Sequence, residues 1–106
     1  MDKSRFEKLK ETLQSDPDNA FARYGLALEL VNSGDLNEAW KNFEYLLNNN
    51  PDYLPTYYQA GMILHQLERK AEARKIFISG IELASNQADS HTQNELQNAL
   101  EELGNP

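Results

Sequence analysis

The sequence contains no cysteine among its 106 residues. This absence excludes disulfide bonds, thiolate zinc sites and cysteine nucleophiles. A basic excess is also missing, since 10 Lys and Arg residues stand against 17 Asp and Glu, for a formal net charge of −7. Proteins that bind nucleic acid or dock electrostatically on anionic lipid need the opposite balance. We therefore expect neither nucleic acid nor a membrane surface as a partner.

Long apolar runs are absent as well. No stretch approaches the roughly 20 apolar residues that span a bilayer. Charges interrupt the N-terminal segment throughout, unlike the apolar region of a signal peptide. We therefore expect a soluble, cytoplasmic protein. The length predicts a single domain over 1–106.

The sequence does contain an internal repeat. Residues recur without a gap at an offset of 34, as in these pairs: Pro17 and Pro51, Tyr24 and Tyr58, Leu30 and Leu64, Ala39 and Ala73, Phe43 and Phe77. Within each unit, apolar residues are spaced by three and four, which is typical of helices. Gly34 followed by Asp35 predicts a helix end and the cap of the next helix. Pro55 fits a first helical turn. Each unit therefore reads as helix, short turn, helix.

A helix–turn–helix repeat of this length resembles the tetratricopeptide repeat (TPR) family. The matching residues are Leu26, Ala27, Leu30, Gly34, Glu38, Ala39, Phe43, Leu47 and Pro51, with Tyr57, Ala60, Gly61, Leu64, Glu72, Ala73, Phe77 and Ile81 in the second unit. The second unit departs from the pattern at the turn that contains Glu68, at Gly80 and at Ser85.

The resemblance implies an all-α, TPR-like α-solenoid of six antiparallel helices. We expect a half repeat at 1–17, full repeats at 18–51 and 52–85, and a capping helix within 86–106. In the final helix, Leu96, Ala99, Leu100 and Leu103 form an apolar stripe. Strict register would place Glu95 and Asn98 in the core, so we expect this helix to be slipped by about one residue.

The first helix of each repeat has two apolar stripes. Leu26, Ala27 and Leu30 are expected to face the core. The second stripe comprises Phe21, Tyr24, Leu28 and Val31 in one repeat and Tyr58, Met62 and His65 in the other. In the TPR fold these positions resemble those that face a concave, peptide-binding groove, and Tyr and Met suit varied partners. We therefore predict a protein–protein interaction module or scaffold with these seven residues as the partner-binding surface.

Two alternatives remain open for the second stripe. The C-terminal helix, through Leu96, Leu100 and Leu103, is one possible cover for the groove. A second copy of the chain is the other, and a homodimer would use the same stripe or the pair of Trp40 and Phe6. Trp40 and Phe6 occupy equivalent positions in the 34-residue register.

The sequence gives little support for catalysis, a metal or a cofactor. His65 and His91 are the only imidazoles and lie on different repeats. There is no HExxH, GxSxG or phosphate-loop motif. The cations with which some TPR domains bind the acidic tails of chaperones are also missing, because Tyr24, Leu28, Tyr58, Gln59 and Met62 occupy the corresponding positions. We predict a protein that is not an enzyme and binds no cofactor.

Overall fold

The computed structural model describes residues 3–104, and within them all regular structure is helical. Six helices follow one another: α1 (Arg5–Ser15), α2 (Ala20–Asn32), α3 (Leu36–Asn49), α4 (Pro55–Gln66), α5 (Lys70–Asn86) and α6 (Ser90–Leu103). The predicted six helices and all-α class are confirmed.

Local side chains define where the helices begin. The side chains of Ser4, Asn19, Asp35 and Asp89 each accept a hydrogen bond from a backbone N–H in the first turn of the following helix. Asp89 also accepts from the Thr92 hydroxyl, and the two hydrogen bonds from Thr92 lower the pKa of the Asp89 carboxyl. Helix α4 instead begins at Pro55, whose fixed φ suits the first turn. The predicted roles of Asp35 and Pro55 are confirmed.

Three helices end in the same way. The second residue after the helix adopts a positive φ at Gly34 (83°), Glu68 (61°) and Ala88 (57°). The next N–H then bonds to a carbonyl five residues back, as in Asp35 to Leu30 at 2.9 Å and Arg69 to Leu64 at 2.8 Å. This is the Schellman pattern, which usually has glycine at the left-handed position. The turn at Glu68 therefore keeps the backbone geometry without the glycine.

The chain divides into two compact units, Met1–Asn50 and Pro51–Pro106. In the first unit, α1 packs on α2 and α2 packs on α3. Its buried side chains are those of Ala22, Ala27, Ala39, Phe43 and Leu46. Helix α1 has no fully buried residue. It approaches α2 at Gly25, where an added Cβ would lie 3.2 Å from Leu9 Cδ2.

One expectation for this unit is wrong in part. Ala27 is buried as predicted, but Leu26 and Leu30 are only half-buried. The reason is that small residues, Gly25 and Ala27, occupy the points where α2 comes closest to its neighbours. The larger leucines beside them lie at the margins of the contact.

In the second unit, α4 packs on α5, and α6 packs on α5 and reaches α4. The core contains Phe77, Ile63, Leu64 and Leu96 as its largest fully buried apolar side chains. Gly61 faces the Phe77 ring so closely that a Cβ there would overlap it. At Gly80 a Cβ would lie 2.7 Å from Tyr57 Cβ and 3.0 Å from Leu96 Cδ1. Gly80, a departure from the family pattern, is therefore the point at which α5 admits both α4 and α6.

The slip predicted for the last helix is confirmed. Leu96, Ala99 and Leu103 are buried, whereas Glu95 and Asn98 are exposed. The apolar side of α6 therefore faces α5 and α4, and its polar side faces solvent.

Candidate protein-interaction surface

The α2 strip consists of the predicted residues Phe21, Tyr24, Leu28 and Val31, which lie on one side of α2. Phe21 is 70 % exposed. Among the described residues it is the more exposed of the two large apolar side chains that lie mainly on the surface, the other being Ile78. Leu28 and Val31 are half-buried. The strip reaches solvent because α2 uses Gly25 and Ala27 for its closest helix contacts.

Tyr24 differs from the other members of the α2 strip. Its ring makes an edge-to-face contact with the buried ring of Phe43, with centroids 6.1 Å apart and planes at 60°. Such a contact stabilises an aromatic pair beyond its burial alone. Tyr24 is thus half-buried and part of the packing between α2 and α3.

The α4 strip consists of Tyr58, Met62 and His65. Tyr58 and Met62 are half-buried and His65 is exposed. Helix α4 carries no Asp, Glu, Lys or Arg. The strip therefore combines a phenol, a thioether and an imidazole on a helix without full charges, a surface suited to apolar and uncharged polar groups.

Sequence reasoning missed a pair of equivalent contacts that hold α2 and α4. Arg23 Nη2 donates to the carbonyl of Pro17 at 3.1 Å, and the Tyr57 hydroxyl donates to the carbonyl of Pro51. Both donors and both prolines are separated by 34 residues. The repeat offset was the available signal, because it pairs the two donors and the two prolines in the sequence. The donors themselves differ chemically.

Arg23 has further contacts that bear on function. Its Nη1 donates to Asn42 Oδ1 at 3.2 Å, and its guanidinium lies 3.8 Å from the centroid of the Tyr45 ring. Arg23 is the only Lys or Arg residue of α2. Because this cation is engaged within its own unit, α2 presents no free cation to an acidic tail.

Other candidate residues have ordinary surroundings. Trp40 and Phe6 are both half-buried. His91 Nε2 lies 3.3 Å from Glu95 Oε1 on the same helix. Arg69 pairs with Glu72 at 2.6 Å, and Arg74 donates to the Gly104 carbonyl. Ile78, which sequence reasoning did not single out, is 49 % exposed on α5 because it lies outside the stripe of Ala73, Phe77 and Gly80.

Residues 3–104 contain neither a metal-binding cluster nor a membrane-spanning helix. No three side chains of His, Asp or Glu converge there in a way that would hold a metal ion. None of the helices in this range combines the length and apolar character needed to cross a bilayer.

Comparisons with known proteins agree with this architecture. A family model described as tetratricopeptide repeat matches residues 54–87. A solution structure of a tetratricopeptide repeat domain protein from Salinibacter ruber is 34 % identical, with a TM-score of 0.79, over 84 % of this chain and 90 % of that one. A crystal structure of such a protein from the same organism is 33 % identical, with a TM-score of 0.77, over 80 % and 96 % of the two chains.

A third structure, of a protein from Bordetella parapertussis, is 24 % identical, with a TM-score of 0.81, over 96 % of this chain and 89 % of that one. At this identity the likeness concerns the fold alone. A comparison with curated proteins finds no match. The predicted TPR-like fold class is thus confirmed by the family model and by the structural likeness. The chain belongs to the tetratricopeptide repeat family, whose domains are generally protein–protein interaction scaffolds and typically not catalysts.

Proposed function

We propose that this protein is an interaction module that binds a peptide or protein segment through the α2 strip and the α4 strip, without catalysis. The observation that carries the proposal is the exposure of Phe21, 70 % of whose surface faces solvent at the start of α2. A phenylalanine with most of its surface in water contributes little burial to its own unit, and large exposed apolar groups are typical anchors of protein interfaces.

The surroundings of the α4 strip support the same function. Helix α6 directs Leu96, Ala99 and Leu103 into the core of its unit. Tyr58 and Met62 are nevertheless only half-buried, and His65 is exposed. This favours a strip that is open to a partner over the alternative in which the C-terminal helix covers it.

The test compares partner capture by variants of exposed apolar residues. Phe21→Ala removes the side chain with little effect on folding, since most of its surface is already in water. Ile78→Ala is the matched control, an exposed apolar residue on another helix. We expect the immobilised wild type and Ile78→Ala to recover the same partner from a lysate of the source cell, and Phe21→Ala to recover at least about fivefold less. A hot-spot residue costs about 1–2 kcal/mol or more on truncation, which corresponds to this loss.

Equal recovery by Phe21→Ala and Ile78→Ala would contradict the role of the α2 strip. Tyr24→Ala is unsuitable for this purpose, because it would also remove the ring contact with Phe43. Circular dichroism of each variant checks that the helices are retained.

A further inference from the structure

A separate groove lies in the first unit, between α1, the last turn of α2 and the turn that precedes α3. Its volume is about 380 Å³, and it is lined by Phe6, Glu29, Leu30, Ser33 and Asp35. None of these residues belongs to the α2 strip or the α4 strip. We call it the Phe6 groove.

The floor of the Phe6 groove is apolar. Leu30, which the repeat pattern places in the core, is only half-buried, and so is Phe6. Together they leave an aliphatic and an aromatic surface accessible in one place. Such a floor favours an aliphatic or aromatic side chain from outside.

The rim of the Phe6 groove is acidic. Glu29 and Asp35 contribute two carboxylates. Asp35 Oδ1 accepts the backbone N–H of Glu38, and Asp35 forms no ion pair with any residue in the described range. Helix α2 ends at Asn32 and α3 begins at Leu36, so the partial charges of the two helix termini oppose each other here and the rim charge comes from the side chains.

Cations of the chain itself already bind to these groups. Arg5 Nε lies 3.0 Å from Glu29 Oε1, and Lys10 Nζ lies 5.3 Å from the centroid of the Phe6 ring. Both cationic residues are exposed. The groups that line the groove thus attract guanidinium and ammonium ions even within this chain.

We propose that the Phe6 groove binds a segment of a partner protein in which an apolar residue is adjacent to Lys or Arg. The apolar side chain rests on Phe6 and Leu30, and the cation reaches Asp35 and competes with Arg5 for Glu29. Charge complementarity selects this occupant. An acidic segment is repelled by the Asp35 carboxylate, and a second copy of this chain brings its own net charge of −7.

The probe is a hexapeptide that alternates Leu and Lys, blocked at both ends, and its counterpart that alternates Leu and Glu. Each is titrated into ¹⁵N-labelled protein at low salt, and amide shifts are followed by NMR. We expect saturable shifts concentrated at Phe6, Leu30, Ser33 and Asp35 with the Lys peptide and none with the Glu peptide.

Two pairs of substitutions separate the groove from the general field of the protein. Glu29→Gln with Asp35→Asn removes the two rim charges, and Asn caps a helix about as well as Asp. Glu44→Gln with Glu82→Gln removes the same charge from two exposed residues that do not line the groove. We expect the rim pair to weaken the Lys peptide about 3–10-fold and the control pair less than twofold.

The apolar floor has its own test. Phe6→Ala is expected to weaken binding of the Lys peptide by at least about threefold, whereas Ile78→Ala, at an exposed apolar residue of α5 outside the groove, leaves it unchanged. Equal losses from both charge pairs would overturn the proposal, as would shifts centred on the α2 strip. Self-association through this groove, seen as shifts that depend on protein concentration without peptide, would also overturn it.

Discussion

At the scale of single residues, the two units make the same hydrogen bond to a proline carbonyl with different side chains. Arg23 and Tyr57 occupy equivalent positions. Arg23 donates to the Pro17 carbonyl and Tyr57 to the Pro51 carbonyl. The guanidinium lies on Tyr45, whereas the phenol is buried. Burial raises the pKa of the Tyr57 hydroxyl, and the nearby Asp52 carboxylate raises it further. The two units thus share the position of this contact but not the type of residue that makes it.

Tyr57→Phe is expected to lower the free energy of unfolding by about 1 kcal/mol, because the Pro51 carbonyl loses its donor while the ring still fills its place. Tyr58→Phe is the matched control, since the Tyr58 hydroxyl has no hydrogen bond with a residue in 3–104. It is expected to change stability by less than about 0.5 kcal/mol. Urea unfolding followed by circular dichroism measures both.

The same pair of variants has a signature at high pH. Because the pKa of Tyr57 is raised in the folded protein, its contribution to stability is complete below the unfolded pKa of about 10 and is lost as pH rises through the folded pKa. Tyr57→Phe should remove this part of the alkaline loss. Equal stability of the two variants at every pH would contradict the role of the Tyr57 hydroxyl.

At the scale of elements, the close approach of helices depends on small residues, and the turns depend on a residue with a positive φ angle. Gly61 and Gly80 admit the rings of Phe77 and Tyr57, for which a methyl group would leave no room. The turns at Gly34 and Glu68 share positive φ and the same hydrogen bonds. A left-handed conformation costs an ordinary L-residue about 1–2 kcal/mol, so Glu68 carries strain that Gly34 does not.

Glu68→Gly is therefore expected to stabilise the protein by about 0.5–1 kcal/mol, the relief at φ 61° exceeding the entropy that glycine loses on folding. Ser79→Gly, at an exposed position within α5, should destabilise by about 0.5 kcal/mol, because glycine is unfavourable inside a helix. Thermal and urea unfolding distinguish the two signs. A loss of stability in Glu68→Gly as large as that in Ser79→Gly would show that the turn is unstrained.

At the scale of the whole molecule, charge governs association. The acidic excess lies in 18–51 and 86–106, while 1–17 and 52–85 each contain equal numbers of acidic and basic residues. The large apolar side chains that are exposed in the described residues, Phe21 and Ile78, lie on different helices. A net charge of −7 opposes self-association and accelerates encounter with cationic partners.

We therefore expect the protein to sediment as a monomer at high micromolar concentration at low salt, where this repulsion is least screened. Sedimentation velocity measures this directly, and Phe21→Ala should sediment in the same way as the wild type. A sedimentation coefficient that rises with concentration and returns to the monomer value in Phe21→Ala would favour the alternative of a homodimer through the α2 strip.

Local sequence patterns are enough to predict the helices, most of their turns and the family. The spacing of three and four, Asp35 and Pro55 act through neighbours within a few residues, so local rules suffice for them. The 34-residue offset is visible in the sequence directly and indicates the family. The division into repeats at 18–51 and 52–85, the single domain and the seven partner-binding residues remain predictions.

The contacts of each stripe residue, in contrast, depend on how the helices pack against one another. The periodicity of α2 places Tyr24 and Leu28 on one side of the helix and Leu30 on the core side. In the structure, however, Tyr24 packs on Phe43 and Leu30 lines the Phe6 groove. Burial depends on which side chains of distant helices cover a position, and that information is absent from the helix's own pattern. The left-handed backbone of Glu68 is likewise not what the propensity of glutamate predicts.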